Sequence, residues 1–148
     1  MKTAAQKGFT LIELLVVIGI LAILFSIVLI AINPARQFNQ ANDTKRRSDT
    51  LQILNAIHQY AAEHSGNLPA PLTTSYTTAD VANTGADVCG LLMPTYISAL
   101  PEDPTINNGV AITSCTTYDT GYQVAVDAQG RVTVSAPHAA LGTVSVTR

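Results

Sequence analysis

The chain has 148 residues and a mass of 15.6 kDa, which is the size of one domain. Hydrophobic residues make up 47% of the chain and charged residues only 12%, so the composition excludes a disordered protein. The net charge of −2 argues against a broad basic surface for nucleic acid, and two cysteines alone cannot supply a disulfide-dense scaffold or a four-ligand zinc site.

An uncharged apolar segment occupies residues 14–35. As a helix it would be about 33 Å long, which matches a hydrocarbon core of about 30 Å. A secretory signal peptide is the alternative, because Lys2 and Lys7 form a basic start. The apolar part of such a signal is usually ~7–15 residues long and ends at a small-residue cleavage site, which this segment lacks. We therefore expect the segment to remain in the mature protein as a membrane helix.

Glu13 is not explained by an ordinary membrane anchor. A carboxylate in an apolar helix costs up to about 2.5–3.5 kcal/mol at the bilayer centre, and such residues usually have a partner. If the chain were cut after Gly8, the new ammonium group of Phe9 would lie one helical turn from Glu13. In a low dielectric their attraction would be strong. A cut at that position would therefore give Glu13 a nearby partner.

The stretch KGFTLIELLVVI, which begins at Lys7, resembles the class III signal of type IV pilins and type II secretion pseudopilins. The resemblance implies that prepilin peptidase cuts between Gly8 and Phe9 and that Phe9 is N-methylated. It implies that Glu13 neutralises the N-terminus of a neighbouring subunit in a filament. It also implies that the leader, residues 1–8, is cytoplasmic and removed, while the apolar helix is kept.

The apolar segment ends at Asn33 and Pro34. Pro34 has no N–H for the carbonyl of Ile30, so we expect the helix to kink or restart there, with Asn33 as a cap. This divides the helical part into a membrane or filament-core helix over residues 9–35 and a soluble half over residues 36–66.

The soluble half carries charges at helical spacing. We expect Asp43 to pair with Arg47 and Lys45 with Asp49. The basic residues 45–47 are predicted to form a solvated face, and phospholipid headgroups or DNA are the alternative partners. One apolar stripe is predicted to pack on a domain, and it comprises Leu51, Leu54, Ile57, His58 and Ala61.

The remaining residues, 67–148, form a globular head in this interpretation. Residues 67–120 are predicted to be a long loop region, and residues 121–148 a small antiparallel sheet with alternating apolar residues and a turn at 127–130. The short elements predicted in the loop region are strands at 88–92 and 110–113 and a helical turn at 96–100. The sequence LPEDP at residues 100–104 resembles a Leu-Pro-x-Asp-Pro stretch that follows the first helix in many pseudopilin-like chains.

Cys89 and Cys115 enclose 25 residues of the loop region. In an oxidising compartment we expect them to form a disulfide, which would contribute about 3.5 kcal/mol by the chain-entropy estimate. Two free buried thiols are the alternative.

The acidic residues of the loop region could supply calcium ligands, but they lack EF-hand spacing and are predicted to form a solvated rim. They are Asp80, Asp87, Glu102, Asp103 and Asp119. The sequence shows no phosphate-binding glycine loop, activated nucleophile or paired histidines. No catalytic residue, cofactor or metal site is therefore expected, and the chain is interpreted as a non-enzyme.

Taken together, the residues and the resemblance predict an α+β, pilin-like fold in which one long N-terminal helix packs on a small antiparallel sheet. The implied function is a prepilin that polymerises with itself into a type IV pilus or a type II secretion pseudopilus. The alternative is a minor pilin that acts as a membrane-tethered module for adhesion or DNA uptake, although no motif supports nucleic-acid binding.

The resemblance also implies the partners and the location. The partners are prepilin peptidase, an assembly platform protein with its ATPase, and inner-membrane lipid before assembly. The expected location is the inner membrane, with a single span and the head outside the cytoplasm, and later a filament in the periplasm or at the cell surface. Counting lysines and arginines on the two sides of the apolar segment does not set this orientation, so it depends on the resemblance.

Overall fold

The computed structural model describes residues 8–72 and 76–148, so the predicted leader lies outside the described residues except for Gly8. The fold is α+β, as predicted, and it divides into two compact units, Met1–Gln37 and Phe38–Arg148, which are described separately below. In chain order the elements are α1 (Leu11–Ile32), α2 (Pro34–Glu63), β1 (Ala79–Ala82), α3 (Cys89–Leu92), a short 3₁₀ turn (Asn107–Gly109), β2 (Asp119–Val126), β3 (Val132–Ala136) and β4 (Val144–Thr147).

Helix α1 is apolar on every face, and none of its residues is buried within the chain. It is 22 residues long, and it is long and apolar enough to cross a membrane. Its one hydroxyl, on Ser26, donates to the carbonyl of Ala22 at 2.9 Å, so this polar group is satisfied inside the helix. The helix ends at Asn33, whose backbone is left-handed with φ 44°.

Helix α2 begins at Pro34, the position where a missing N–H is tolerated, and the side-chain oxygen of Asn33 accepts the N–H of Arg36 at 3.3 Å. The helix ends at Glu63, and the N–H of the left-handed Gly66 closes its last turn on the carbonyl of Ala61. Asn33 and Pro34 therefore interrupt the helical part of the chain where proline chemistry predicts.

One face of α2 enters the core of the head through Ile53, Leu54 and Ile57, which are fully buried. The predicted stripe is wrong at Leu51, which is 40% exposed, and it missed Ile53. Ile53 and Leu54 are adjacent, so the core covers a wider arc of the helix than the narrow stripe that the spacing of Leu51 and Leu54 indicates.

The sheet is an antiparallel meander in the order β1-β2-β3-β4. Val124 pairs with Val134 and Val126 with Val132, and all four side chains are buried, which confirms the predicted alternation. The strands β2 and β3 are joined by the predicted turn, in which Gly130 has φ +80° and donates its N–H to the carbonyl of Asp127.

The predicted short elements of the loop region are largely wrong. Residues 79–82, predicted as loop, form the edge strand β1, and residues 88–92 form the helical turn α3 instead of a strand. The segment 110–113 makes only an isolated bridge, between Ile112 and Leu100, and the helical turn predicted at 96–100 lies earlier, at α3. Elements of four residues have little propensity of their own, so pairing with distant segments determines them.

Candidate processing and assembly site

The start of α1 is a capping box formed by Thr10 and Glu13. The hydroxyl oxygen of Thr10 accepts the N–H of Glu13 at 3.3 Å, and the N–H of Thr10 donates to Oε2 of Glu13 at 2.7 Å. The Thr10 hydroxyl also donates to the same oxygen at 2.7 Å. Two otherwise unpaired backbone N–H groups at the helix start are satisfied in this way.

Glu13 therefore has a local role that the sequence analysis missed. The pattern Thr-x-x-Glu ahead of an apolar run is a known helix-start signal and could have indicated it. Both hydrogen bonds reach Oε2, and among the described residues no hydrogen bond reaches Oε1. The carboxylate can therefore cap its own helix with one oxygen and still offer the other oxygen to a cation.

The predicted processing residues lie just before this capped start. Gly8 and Phe9 precede the helix without regular secondary structure, and both are exposed, Phe9 to 91%. A peptide bond must be accessible to enter a protease, and the bond between these two residues meets this condition. Beyond Glu13, the surface of α1 is almost wholly apolar and is uncovered within the chain.

In the unit Phe38–Arg148, Arg46 on α2 is 1% exposed and makes several side-chain hydrogen bonds. Its Nε donates to Oδ2 of Asp103 at 2.7 Å and its Nη2 to Oδ1 of Asp103 at 2.9 Å. Nη1 donates to Asp43 at 2.9 Å, and Nη2 also reaches the hydroxyl of Thr105 at 3.2 Å. The guanidinium fork thus binds one carboxylate at two points and a second carboxylate beside it.

The second carboxylate, Asp43, connects α2 to the segment before β4. It accepts the N–H groups of Ala140 at 3.1 Å and Leu141 at 2.8 Å. Further along α2, Asp49 accepts the hydroxyl of Tyr122 on β2 at 2.7 Å. Each of these bonds satisfies a polar group that would be costly to bury alone.

Lys45, whose side chain is 40% exposed, extends this group of polar contacts to the edge of the buried region. Its Nζ donates to Asp49 at 2.7 Å and to the main-chain carbonyl of Glu102 at 2.9 Å. The predicted Lys45–Asp49 pair is therefore confirmed, whereas Asp43 pairs with Arg46 instead of Arg47.

The prediction of a solvated basic face is wrong at Arg46, and the predicted acidic rim is wrong at Glu102 and Asp103, which are 6% and 0% exposed. For Arg46 and Asp103 the physical reason is mutual, because each compensates the charge of the other across 57 positions of sequence. The LPEDP stretch thus supplies the carboxylate that anchors α2 to the head.

The surroundings shift the pKa values of these groups. Burial opposes ionisation of Asp103, but hydrogen bonds from Arg46 and Thr105 hold its pKa at about 2. Burial, followed by the hydrogen bond to Asp49, raises the pKa of Tyr122 well above its usual value. Burial also raises the pKa of Glu102, which, unlike Asp103, has no arginine beside it to offset the cost.

Cys89 and Cys115 form a disulfide, with their Cα atoms 5.6 Å apart. Tyr118 supports this loop, because its hydroxyl donates to Asp87 at 2.9 Å and accepts the N–H of Cys89 at 3.3 Å. Among the described residues, no group of three or more metal-binding side chains of the His, Cys, Asp and Glu types comes together.

The comparisons with known proteins concern the N-terminal part most directly. Residues 3–29 match the family model described as the prokaryotic N-terminal methylation motif. The chain is also 39% identical over 85 residues to the Escherichia coli (strain K12) protein called prepilin peptidase-dependent protein D. That match covers 50% of this chain and 56% of the relative, so the chain spans about half the length of the curated relative it matches. No solved structure matches the chain.

These findings define a chain with a prokaryotic N-terminal methylation motif and an α+β, pilin-like arrangement. The chain carries a class III prepilin signal, followed by an apolar N-terminal helix and an α+β head with a four-stranded antiparallel sheet. The signal and the exposed apolar helix together indicate a membrane-anchored protein.

Proposed function

We propose that this chain is a prepilin, a structural subunit that is cut between Gly8 and Phe9, N-methylated at Phe9 and polymerised through α1. The observation that carries the proposal is that two features occur together in the N-terminal part of the chain. A methylation motif covers residues 3–29, and the helix that follows the proposed cut is apolar on every face and buried nowhere within the chain. A catalytic role is not part of the proposal.

The exposed surface of α1 explains why such a subunit would polymerise. Burial of apolar surface is worth about 25 cal/mol per Å², so this helix is not stable in water and must lie in lipid or against other helices. In the proposed cycle it first lies in the inner membrane, with the head outside the cytoplasm. It then exchanges lipid contacts for contacts with the same helix of neighbouring copies, so that its surface never meets water.

Glu13 has a specific task in this cycle. After the cut, Phe9 carries an ammonium group at the mouth of an apolar helix, where an unpaired charge is costly. The oxygen of Glu13 that the capping box leaves free can receive the ammonium of an adjacent subunit. Only one axial offset between two subunits brings these groups together, so the pair selects the register of the filament.

The proposal divides the chain into a removed leader (1–8), a membrane or filament-core helix (9–35), the soluble half of the helical part (36–66) and a head (67–148). It requires prepilin peptidase for the cut, and an assembly platform protein with its ATPase to extract the subunit from the membrane. The relative is named for its dependence on prepilin peptidase, which supports the first of these partners.

The test is the amount of the chain in filaments sheared from cells, with and without an active prepilin peptidase. A structural subunit should account for most of the filament mass, and it should vanish from the sheared fraction when the peptidase is inactive. A chain that is cut and stays in the membrane, and is nearly absent from the sheared filaments, would instead be a minor pilin with a binding role at a tip.

A further inference from the structure

The two edges of the head sheet differ. At the β1 edge, the turn that follows the strand folds back on it, because the N–H of Ala86 donates to the carbonyl of Asp80 at 2.8 Å. The contact is tight, since a Cβ atom at Gly85 would collide with the same carbonyl. This turn therefore lies along β1 and uses part of the main chain through which a further strand would pair.

The other edge of the sheet, β4, is open. Val132 of β3 and Arg148 exchange both of their main-chain hydrogen bonds. Because bonded pairs alternate along an antiparallel ladder, the main-chain groups of Ser145 and Thr147 point away from β3. Among the described residues, no main-chain hydrogen bond reaches these two N–H and two C=O groups. Strand β4 therefore offers a template for another strand.

The composition of β4 does not protect this edge. Natural edge strands usually carry lysine, proline or another charged residue that discourages pairing, whereas β4 reads Val-Ser-Val-Thr. Val146 lies on the core side of the strand and is only partly buried, so an added strand would cover apolar surface. The neighbouring Arg148 is turned to the helix, where its Nη1 donates to Asn55 at 3.3 Å.

We propose that β4 pairs with β4 of a second copy of this chain, in antiparallel orientation about a two-fold axis beside Val146. In this register Ser145 of each copy lies opposite Thr147 of the other, so the outward groups of both strands form four hydrogen bonds. The two Val146 side chains meet at the axis and cover each other. Both copies use the same surface, so the contact closes on itself as a pair.

A second copy suits this edge because no like charges meet in that register. Arg148 lies opposite Val144 of the second copy, which places the two Arg148 residues four positions apart along the paired strands. At ~3.4 Å per residue this is about 14 Å. The Debye length at physiological salt is only about 8 Å, so the repulsion between them is largely screened.

The consequence for filaments rests on the proposed function. Successive subunits of a filament are related by a screw operation, which a closed two-fold pair cannot continue, so the pairing would join subunits of two filaments. Four hydrogen bonds and one pair of valines bury much less than the ~1,200 Å² of a stable interface, so a single pair is weak. Many pairs along two filaments would act together and hold them side by side.

The experiment is disulfide cross-linking of the full-length chain under mild oxidation, with detergent in excess so that micelles carry single chains. Opposite residues at a position without main-chain hydrogen bonds have Cα atoms about 4.5 Å apart, which is within the range of a disulfide. Val146→Cys should therefore give a covalent dimer through the two introduced cysteines. Val110→Cys is the control, because Val110 is 59% exposed and lies outside the sheet, and it should cross-link at least tenfold more slowly.

Two changes at Thr147 test whether the strand edge is responsible. Thr147→Pro removes an N–H that points away from β3, and proline is tolerated on an edge strand in that position. Thr147→Lys leaves the main chain intact and places a charge on the edge. Either change, combined with Val146→Cys, should slow cross-linking to the rate of Val110→Cys. The melting temperature checks the fold, and Thr147→Lys decides the question if Thr147→Pro does not fold.

The proposal is wrong if Val146→Cys cross-links no faster than Val110→Cys, or if the folded Thr147 variants cross-link as fast as Val146→Cys alone. Capture of a different protein by Val146→Cys in cells, without the dimer, would also overturn it, because the edge would then take another protein's strand. The assay requires neither cleavage nor filaments, so this pairing and the proposed function can fail separately.

Discussion

Arg46 and Asp103 form a two-point ion pair in which both side chains are removed from solvent, with exposed fractions of 1% and 0%. The pair joins α2 to a segment 57 residues later in the chain, and Asp43 and Thr105 occupy further donors of the same guanidinium. Burying two charges is expensive, and this geometry offsets the cost because the donors and acceptors of both partners are used.

Breaking this pair from one side should therefore destabilise the head strongly. Arg46→Met or Asp103→Leu alone should lower the free energy of unfolding by about 3–5 kcal/mol, because each leaves an unpaired charge in the core. The double variant Arg46→Met/Asp103→Leu should lose much less than the sum of the two singles. Denaturant unfolding followed by circular dichroism measures these differences.

The exposed ion pair between Arg131 and Asp127 is the control, since its Nε–Oδ2 distance is also 2.7 Å but its side chains are 63% and 34% exposed. Arg131→Met should change the free energy of unfolding by no more than about 1 kcal/mol. If the Arg46 and Arg131 variants lost equal stability, burial of the Arg46 pair would not be the cause.

Tyr122 should make the head sensitive to alkali. Its pKa is raised in the folded chain, by burial and then by the hydrogen bond to Asp49, whereas in the unfolded chain it titrates near about 10. The stability that neutral Tyr122 contributes is complete below that pH and is lost as the pH rises above it. In Tyr122→Phe the loss of stability above pH ~10 should be shallower.

Phenolate absorbance during an alkaline titration measures this directly. The Tyr122 contribution, taken as wild type minus Tyr122→Phe, should appear together with unfolding and not before it. Ionisation of Tyr122 near pH ~10 in protein that is still folded would contradict its burial against Asp49.

The disulfide should stabilise the head because it lowers the conformational entropy of the unfolded chain. Reduction, or the double variant Cys89→Ala/Cys115→Ala, should lower the free energy of unfolding by about 3.5 kcal/mol for a loop of this length. Non-reducing peptide mapping should give one linked pair. Thiols that are labelled readily in the folded protein would contradict the prediction.

Glu13 should be needed for filament assembly and not for membrane insertion. Glu13→Gln keeps a side chain that can accept the Thr10 N–H in the capping box but removes the charge, whereas Glu13→Ala removes both. Both variants should be inserted and cut, and both should give few or no filaments.

The comparison of the two variants separates the roles of this residue. If Glu13→Gln forms filaments normally and only Glu13→Ala fails, the capping box is what matters and the register mechanism is wrong. Loss of both variants from the membrane fraction would instead assign Glu13 to insertion.

The parts of the fold that the sequence predicted correctly are those determined locally. Helix α1 follows from an unbroken apolar run, its end from Asn33 and Pro34, and the β2–β3 hairpin from alternation and a turn that ends in Gly130. The signal around Gly8 is likewise contained in a short stretch of chain.

The errors concern residues whose environment is supplied by distant parts of the chain. Arg46 has the appearance of a surface residue on a charged helix, and its burial depends on an ion pair with the distant Asp103 as well as on the nearby Asp43. Strand β1 exists because Ala79 and its neighbours pair with β2 some 40 residues later. Helical spacing and strand propensity carry no information about such pairings.

The mass of the intact subunit in sheared filaments tests the central claim most directly. We predict a chain that begins at Phe9, lacks residues 1–8 and carries one additional methyl group, with the Cys89–Cys115 disulfide intact. Recovery of the full-length chain from assembled filaments, or of a chain that starts beyond the apolar helix, would contradict the account.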